Sequence, residues 1–200
     1  MKMTPTRTAL MTALAVGTLA SAGCTSMGGM DSMNADTDAQ ATVMVGGAAM
    51  YPTKTIVENA VNSRDHTTLV AAVTAAGLVP TLASPGPFTV FAPTNAAFAK
   101  LPAGTVDTLV QPANRATLTK ILTYHVVPGR VSAADLMRQI RAGGGRARLT
   151  TVQGGTLTAS MRGSAIILTD EKGGVATVTQ ADVFQSNGVI HVTDTVSMPN

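Results

Sequence analysis

The stretch Phe88-Thr89-Val90-Phe91-Ala92-Pro93-Thr94-Asn95-Ala96-Ala97-Phe98-Ala99-Lys100-Leu101-Pro102 decides how this chain folds. Phe88, Val90 and Phe91 are strand formers, entered through the turn cluster Ser84-Pro85-Gly86-Pro87. Pro93 ends the ladder because it has no N–H to donate. Thr94 and Asn95 follow as helix N-caps, and Asn95 is expected to cap the short helix Ala96 to Leu101, which sets Phe98 and Leu101 on one face. Three of the four Phe lie in these fifteen residues and there is no Trp. The stretch therefore supplies most of the large anchors for a core otherwise built from Val, Leu, Ile and Ala.

Read as Phe-Thr-Val-Phe-Ala-Pro-Thr-Asn-x-Ala-Phe, residues 88–98 closely resemble the first motif of the fasciclin (FAS1) domain family. Leu118 to Gly129, which contains Tyr124-His125 and the turn Pro128-Gly129, is similar to that family's Tyr-His region. Asn187-Gly188-Val189-Ile190-His191-Val192-Thr193-Asp194-Thr195-Val196 resembles its second motif, with Thr193 where the family usually has an aliphatic residue. The resemblance covers Tyr51 to Pro199, the length of one domain. It implies an α+β fold: a single fasciclin domain with a β-rich two-sheet wedge or sandwich and several short helices, mostly in the N-terminal half. Structural roles are implied for Phe91, Pro93, Thr94, Asn95, Phe98, Gly188, Ile190, His191 and Asp194. Tyr124 and His125 match the region tied to receptor binding and are candidate contacts, although His125 is also expected to be largely buried and hydrogen-bonded. The implied function is a non-catalytic extracytoplasmic adhesion or interaction module.

At the N-terminus, Lys2 and Arg7 precede the uncharged apolar run Ala9 to Ala22, too short to span a bilayer comfortably. Residues 1–23 therefore read as an export signal. Ala22-Gly23-Cys24 resembles the bacterial lipobox, with Ser21 where Leu is usual, and the only cysteine stands at the acylated position. The alternative is ordinary cleavage after Ala20-Ser21-Ala22. One cysteine excludes an intrachain disulfide. Residues 24–50, rich in Gly, Ala, Ser, Asp and Met, read as a flexible tether for a domain at 51–199. Met27, Met30 and Met33 recur every three residues, and an alternative reading makes the protein a periplasmic Cu(I) binder through these thioethers. No other metal or cofactor is expected. The formal charge of +3 includes Lys2 and Arg7, which leaves about +1 on a chain starting at Cys24. No basic run is interleaved with aromatics, so nucleic acid is not an expected partner. The protein is expected to be lipid-anchored at the cell envelope (outer membrane or periplasm in a cell with two membranes) and otherwise secreted.

Leu69, Val70, Val73 and Ala76 form an apolar helical face that stops at Gly77, with N-caps offered by Asp65 to Thr68. Asn114 is placed to cap a helix bearing Leu118, Ile121, Leu122 and His125 on one face. Ser132-Ala133-Ala134-Asp135 has capping-box spacing. Arg138 to Arg148 reads as an exposed loop around Gly143-Gly144-Gly145; its Arg141, Arg146 and Arg148, with the turn Asp170 to Gly174, are candidate contacts. From Leu149 onward the period becomes that of hairpins. Of the three histidines, His66 is read as exposed in a helix-leading turn. No H-x-x-x-H, H-E-x-x-H, G-x-S-x-G, phosphate loop or paired-carboxylate motif occurs, so no catalytic role is assigned. The expected partner of this monomeric domain is an envelope or matrix component, protein or polysaccharide, and the membrane is reached through the lipid. A ligand-binding domain for envelope polysaccharide is the remaining alternative.

Overall fold

The computed structural model describes residues 42–200. The export signal, Cys24, the Met27, Met30 and Met33 set and the tether up to residue 41 lie outside the described residues. The end of the expected tether is folded: β1 (Val43–Val45) and β2 (Ala48–Met50) form an antiparallel hairpin. Its turn is Gly46-Gly47, both at positive φ, which is why a composition-based reading takes it for coil. Val45 and Met50 face inward and are buried, so the domain begins before Tyr51.

Five short helices and one strand follow. They are α1 (Ile56–Ala60), α2 (Thr67–Ala76), α3 (Val79–Leu82), β3 (Phe88–Pro93), α4 (Asn95–Ala99) and α5 (Thr105–Leu109). Then come α6 (Arg115–Tyr124), β4 (Val126–Pro128), α7 (Ala133–Ala142) and β5 (Arg146–Thr150). The chain closes with β6 (Thr156–Arg162), β7 (Ala165–Thr169), β8 (Val175–Gln185) and β9 (Gly188–Thr193). Strands β3 to β9 form one sheet in the order β4-β3-β9-β8-β7-β6-β5, antiparallel except between β3 and β9. That parallel pair runs from Phe88 opposite Gly188 to Pro93 opposite Thr193, which sets the two motif strings side by side. Gly188 is required there because a Cβ would collide with the Phe88 carbonyl.

Strand β8 bends the sheet. Val175 to Thr177 pair with β7, while Val178 onward pairs with β9 through register shifts around Gln180 and Asp182, the latter at φ 57°. One leaf, β4-β3-β9-β8, carries helices and the β1–β2 hairpin on one face; the second leaf, β7-β6-β5, and α7 lie against its other face. Alternation along β3 shows this directly. Val90 and Ala92 join Leu69, Val73, Leu122 and Ile190 in one core, and Phe91 joins Leu136, Ile140, Leu157 and Leu168 in the other. Strand β9 is consequently buried along its whole length, as a parallel strand covered on both faces should be. Thr193 sits inside this strand and donates its hydroxyl to Thr195 O at 3.3 Å.

Four local expectations are corrected. The cap of α4 is Thr94, in extended conformation, whose Oγ1 accepts from Ala97 N–H at 3.3 Å. Asn95 reaches across instead: Oδ1 accepts from Thr68 N–H (3.0 Å), and Nδ2 donates to Arg64 O (2.8 Å) and Thr67 Oγ1 (2.9 Å). It caps α2, whose first turn the fold brings beside it, while Thr94 already occupies the cap position of α4. Asn114 likewise makes no cap bond and donates to Thr108 O at 2.8 Å. His66 is buried, since the β1–β2 hairpin covers its turn; Ser63 Oγ reaches both Val45 O and the His66 ring. The 138–148 segment is the end of α7, a glycine turn and β5 rather than a loop. Its helix forms because the Ser132–Asp135 capping box starts it and Ala133, Leu136 and Ile140 pack inward.

Candidate functional site

Tyr124 and His125 end α6, and both are buried. Tyr124 donates its hydroxyl to Thr156 O (2.7 Å) and accepts from Glu171 N–H (3.2 Å), tying α6 to the start of β6 and the β7–β8 turn. Burial pushes its pKa up to about 12. His125 Nδ1–H donates to Ile121 O (2.9 Å), and Nε2 accepts from Ser197 N–H (3.0 Å), which clips the chain's last residues to the helix. One nitrogen donates and the other accepts, so the ring is neutral, and burial holds its pKa below the usual value. Neither side chain is on the surface, where a partner would meet it.

His191 makes an equivalent clip in β9. Nε2–H donates to Val131 O (2.8 Å), Nδ1 accepts from Asp182 N–H (3.3 Å), and the ring stacks on Phe91 at 5.5 Å between centroids. Asp182 in turn accepts from Ala133 N–H at 2.7 Å, so the β8 bulge, α7 and β9 are locked together. Asp194 accepts from Thr177 N–H (2.7 Å) and pairs with Lys100 at 3.5 Å. Burial alone would raise its pKa, but these bonds and the Lys100 charge bring it below the ordinary range. The turn Asp170 to Gly174 is built on the Asp170 carboxylate, which accepts from Lys172 N–H (3.0 Å), Gly174 N–H (2.6 Å) and Met198 N–H (2.8 Å). Glu171, Lys172 and Gly173 remain exposed on it.

The arginines form a surface. Ala147 and Leu149 point into the core, so Arg146 and Arg148 point outward by the two-residue strand period. Arg146 lies opposite Ser160 and Arg148 opposite Thr158, and Arg162 follows two residues beyond Ser160 on the same side. Diagonal neighbours in such a ladder stand roughly 7–8 Å apart, so Arg146 and Arg162 are adjacent. Arg141 stands in the last turn of α7 at the same end of the sheet. All four are exposed, and among the described residues none has a carboxylate within ion-pair distance; only Arg138, bound to Asp135, and Lys100 do. Nothing in the sequence marks Arg162 as a contact, because only strand register joins it to the others. The described residues carry twelve Lys and Arg against eight Asp and Glu, a formal charge of +4, since Asp31, Asp36 and Asp38 precede them. No group of three or more His, Cys, Asp and Glu able to hold a metal occurs among the described residues. No helix of the described residues is long and apolar enough to cross a membrane.

A family model described as the Fasciclin domain matches residues 64–199. The Synechocystis protein sll1483 is 48% identical over 158 residues, covering 79% of this chain and 81% of that one. The immunogenic protein MPB70 of Mycobacterium bovis is 40% identical over 143 residues, covering 69% of this chain and 65% of its own. In structure, the chain is similar to the FAS1 domain pair of the insect cell adhesion molecule Fasciclin I. The TM-score is 0.64 at 17% identity, over 72% of this chain and 50% of the pair.

Proposed function

The chain belongs to the fasciclin family, and from that membership we propose that it is a non-catalytic interaction module of the cell envelope that adheres to an anionic polymer through the outer face of β5–β6. The observation that carries this reading is the outward row Arg146, Arg148 and Arg162, interleaved with the hydroxyls of Thr158 and Ser160. Guanidinium groups bind carboxylates and sulfates in paired hydrogen bonds, and neighbouring hydroxyls accept or donate to sugar. A row without carboxylate partners keeps that capacity for a ligand. The cell-adhesion role named for the insect protein of the same fold supports the adhesive reading.

Acylation at Cys24 would hold the domain at the membrane, with residues up to 41 as the spacer. Single polymer contacts at an exposed face are weak, and many anchored copies act together through effective concentration. The test is retention of the protein on immobilised polygalacturonate and on isolated envelope polymers, for wild type and for the Arg146→Ala, Arg148→Ala, Arg162→Ala triple variant, at rising salt. Wild type should be retained at low salt and released as the Debye length shrinks toward about 8 Å near 0.15 M, and the triple variant should not be retained. Equal retention of both proteins would overturn the assignment. For the anchor, Cys24→Ala should move the protein from the membrane fraction to the soluble one.

A further inference from the structure

A cavity of about 350 Å³ lies in the helical half of the domain, walled by Met50, Ile56, Val73, Leu82, Val90 and Ile190. Two further wall residues, Val61 and Val152, are 53% and 46% exposed, so the cavity meets the surface beside them. His66 also faces it and is only 3% exposed. Its Nδ1 is 2.8 Å from Ser63 Oγ, whose hydroxyl in turn donates to Val45 O at 3.3 Å. Its Nε2 has no hydrogen-bond partner among the described residues. The Ala92 carbonyl is close enough to favour the ring's protonated form slightly, but makes no directed bond to that nitrogen. A cavity this large forgoes packing, and an unpartnered buried nitrogen forgoes a bond. A water at Nε2 could reach the Ala92 carbonyl but would otherwise meet a mainly apolar wall, at the lower limit of the two to four partners a buried water needs.

We propose that this cavity binds an apolar molecule of about a dozen carbons ending in a single hydroxyl, seated with the hydroxyl on His66 Nε2. The length follows from the volume at roughly 30 Å³ per water-sized group. The hydroxyl follows from His66: it both donates and accepts, so it satisfies Nε2 whichever ring nitrogen carries the proton. A carboxylate is disfavoured, because burial lowers the tendency of His66 to become the cation that would pair with it. The occupant enters beside Val61, where α1 ends and the wall is open. This site is separate from the arginine face, and either can fail without the other.

The test titrates 1-decanol, decane and decanoate into the full chain with ¹⁵N-labelled histidine, reading thermal shift and the His66 ring resonances at pH 7.5. Decanol should raise the midpoint, bind about tenfold more tightly than decane, as one added hydrogen bond implies, and move the Nε2 resonance. In His66→Leu the order should reverse, decane binding more tightly than decanol, because the alcohol's hydroxyl would then be buried without a partner. If that variant does not fold, the wild-type resonance decides: movement with decanol and none with decane supports the site. No binding of decanol, equal binding of decanol and decane by wild type, an unmoved Nε2 resonance, or tighter binding of decanoate than decanol would each overturn the proposal.

Discussion

Asn187 opens the second motif string, and its amide is expected to hold three segments together. It is 4% exposed. Oδ1 accepts from Ile56 N–H at 3.0 Å, while Nδ2 donates to Leu82 O at 2.8 Å and Ser84 O at 2.9 Å. The first is an N-terminal N–H of α1 with no partner inside that helix, and the second is the last carbonyl of α3. Asn187→Ala leaves the Ile56 N–H and the Leu82 carbonyl buried without partners, at roughly 1–3 kcal/mol each, whereas the Ser84 carbonyl is near enough to water to be replaced. The loss should total about 4 kcal/mol, a large part of the roughly 5–15 kcal/mol that holds a domain. At about 2–4 °C per kcal/mol, the midpoint should fall by about 8–16 °C. Asn187→Asp keeps the acceptor toward Ile56 but loses both donors and sets an anionic oxygen beside two carbonyls, so it should be at least as harmful at pH 7. Urea unfolding and thermal melts, both followed by far-UV circular dichroism, give the free energy and the midpoint. A loss under about 1 kcal/mol for Ala at unchanged slope, or an Asp variant milder than Ala, would refute the hydrogen-bond assignment.

Three further outcomes are expected. Gly188→Ala should destabilise by about 1–3 kcal/mol through the collision with the Phe88 carbonyl; a variant as stable as wild type in urea would mean that β3 and β9 can separate freely. Tyr124→Phe should cost about 1–3 kcal/mol, since it strands the Thr156 carbonyl and the Glu171 N–H, and a neutral result would show that water reaches both. Burial keeps His66, His125 and His191 below the usual imidazole pKa, so the unfolded chain takes up protons as pH falls through about 6.5 while the folded domain does not. Unfolding free energy should therefore be flat near pH 7.5 and fall toward acid by up to about 4 kcal/mol per pH unit, and equal stability at pH 7.5 and 5.5 would rule this out.

Much of the fold was legible because it is written locally. Pro93 and Thr94 mark a strand end and helix start, Gly77 takes the left-handed position that ends α2 at φ 72°, and Ser132 and Asp135 make the capping box their spacing promises. What escaped depends on partners distant in sequence. Asn95 is a good cap, but for α2, and only tertiary contact reveals it. His66 looks exposed until the hairpin at 43–50 covers it, and that hairpin is hidden in a stretch whose glycines resemble a linker. The glycine run at 143–145 made a helix end and an edge strand look like one loop, although Ala147 and Leu149 already alternate with Arg146 and Arg148.

The same contrast bears on where function is read. Phe91, Pro93, Phe98, Gly188, Ile190 and His191, which carry the resemblance, are all buried, and so are Tyr124 and His125. Side chains in a core report how the chain packs, and they touch no macromolecular partner while the domain stays folded. A likeness carried by such residues therefore fixes the scaffold and says little about the ligand. Ligand choice has to sit where side chains are free to differ without disturbing either core. In this domain the outer face of β5–β6 meets that condition, because β5 and β6 give their inward positions to the core and their outward positions to guanidinium and hydroxyl groups. Exchanging those outward groups should redirect binding at almost no cost in stability, within about 0.5 kcal/mol, as for surface substitutions generally. The triple arginine variant tests this directly. Lost retention with an unchanged unfolding curve separates recognition from folding, whereas loss of both together would return Arg146, Arg148 and Arg162 to a structural role.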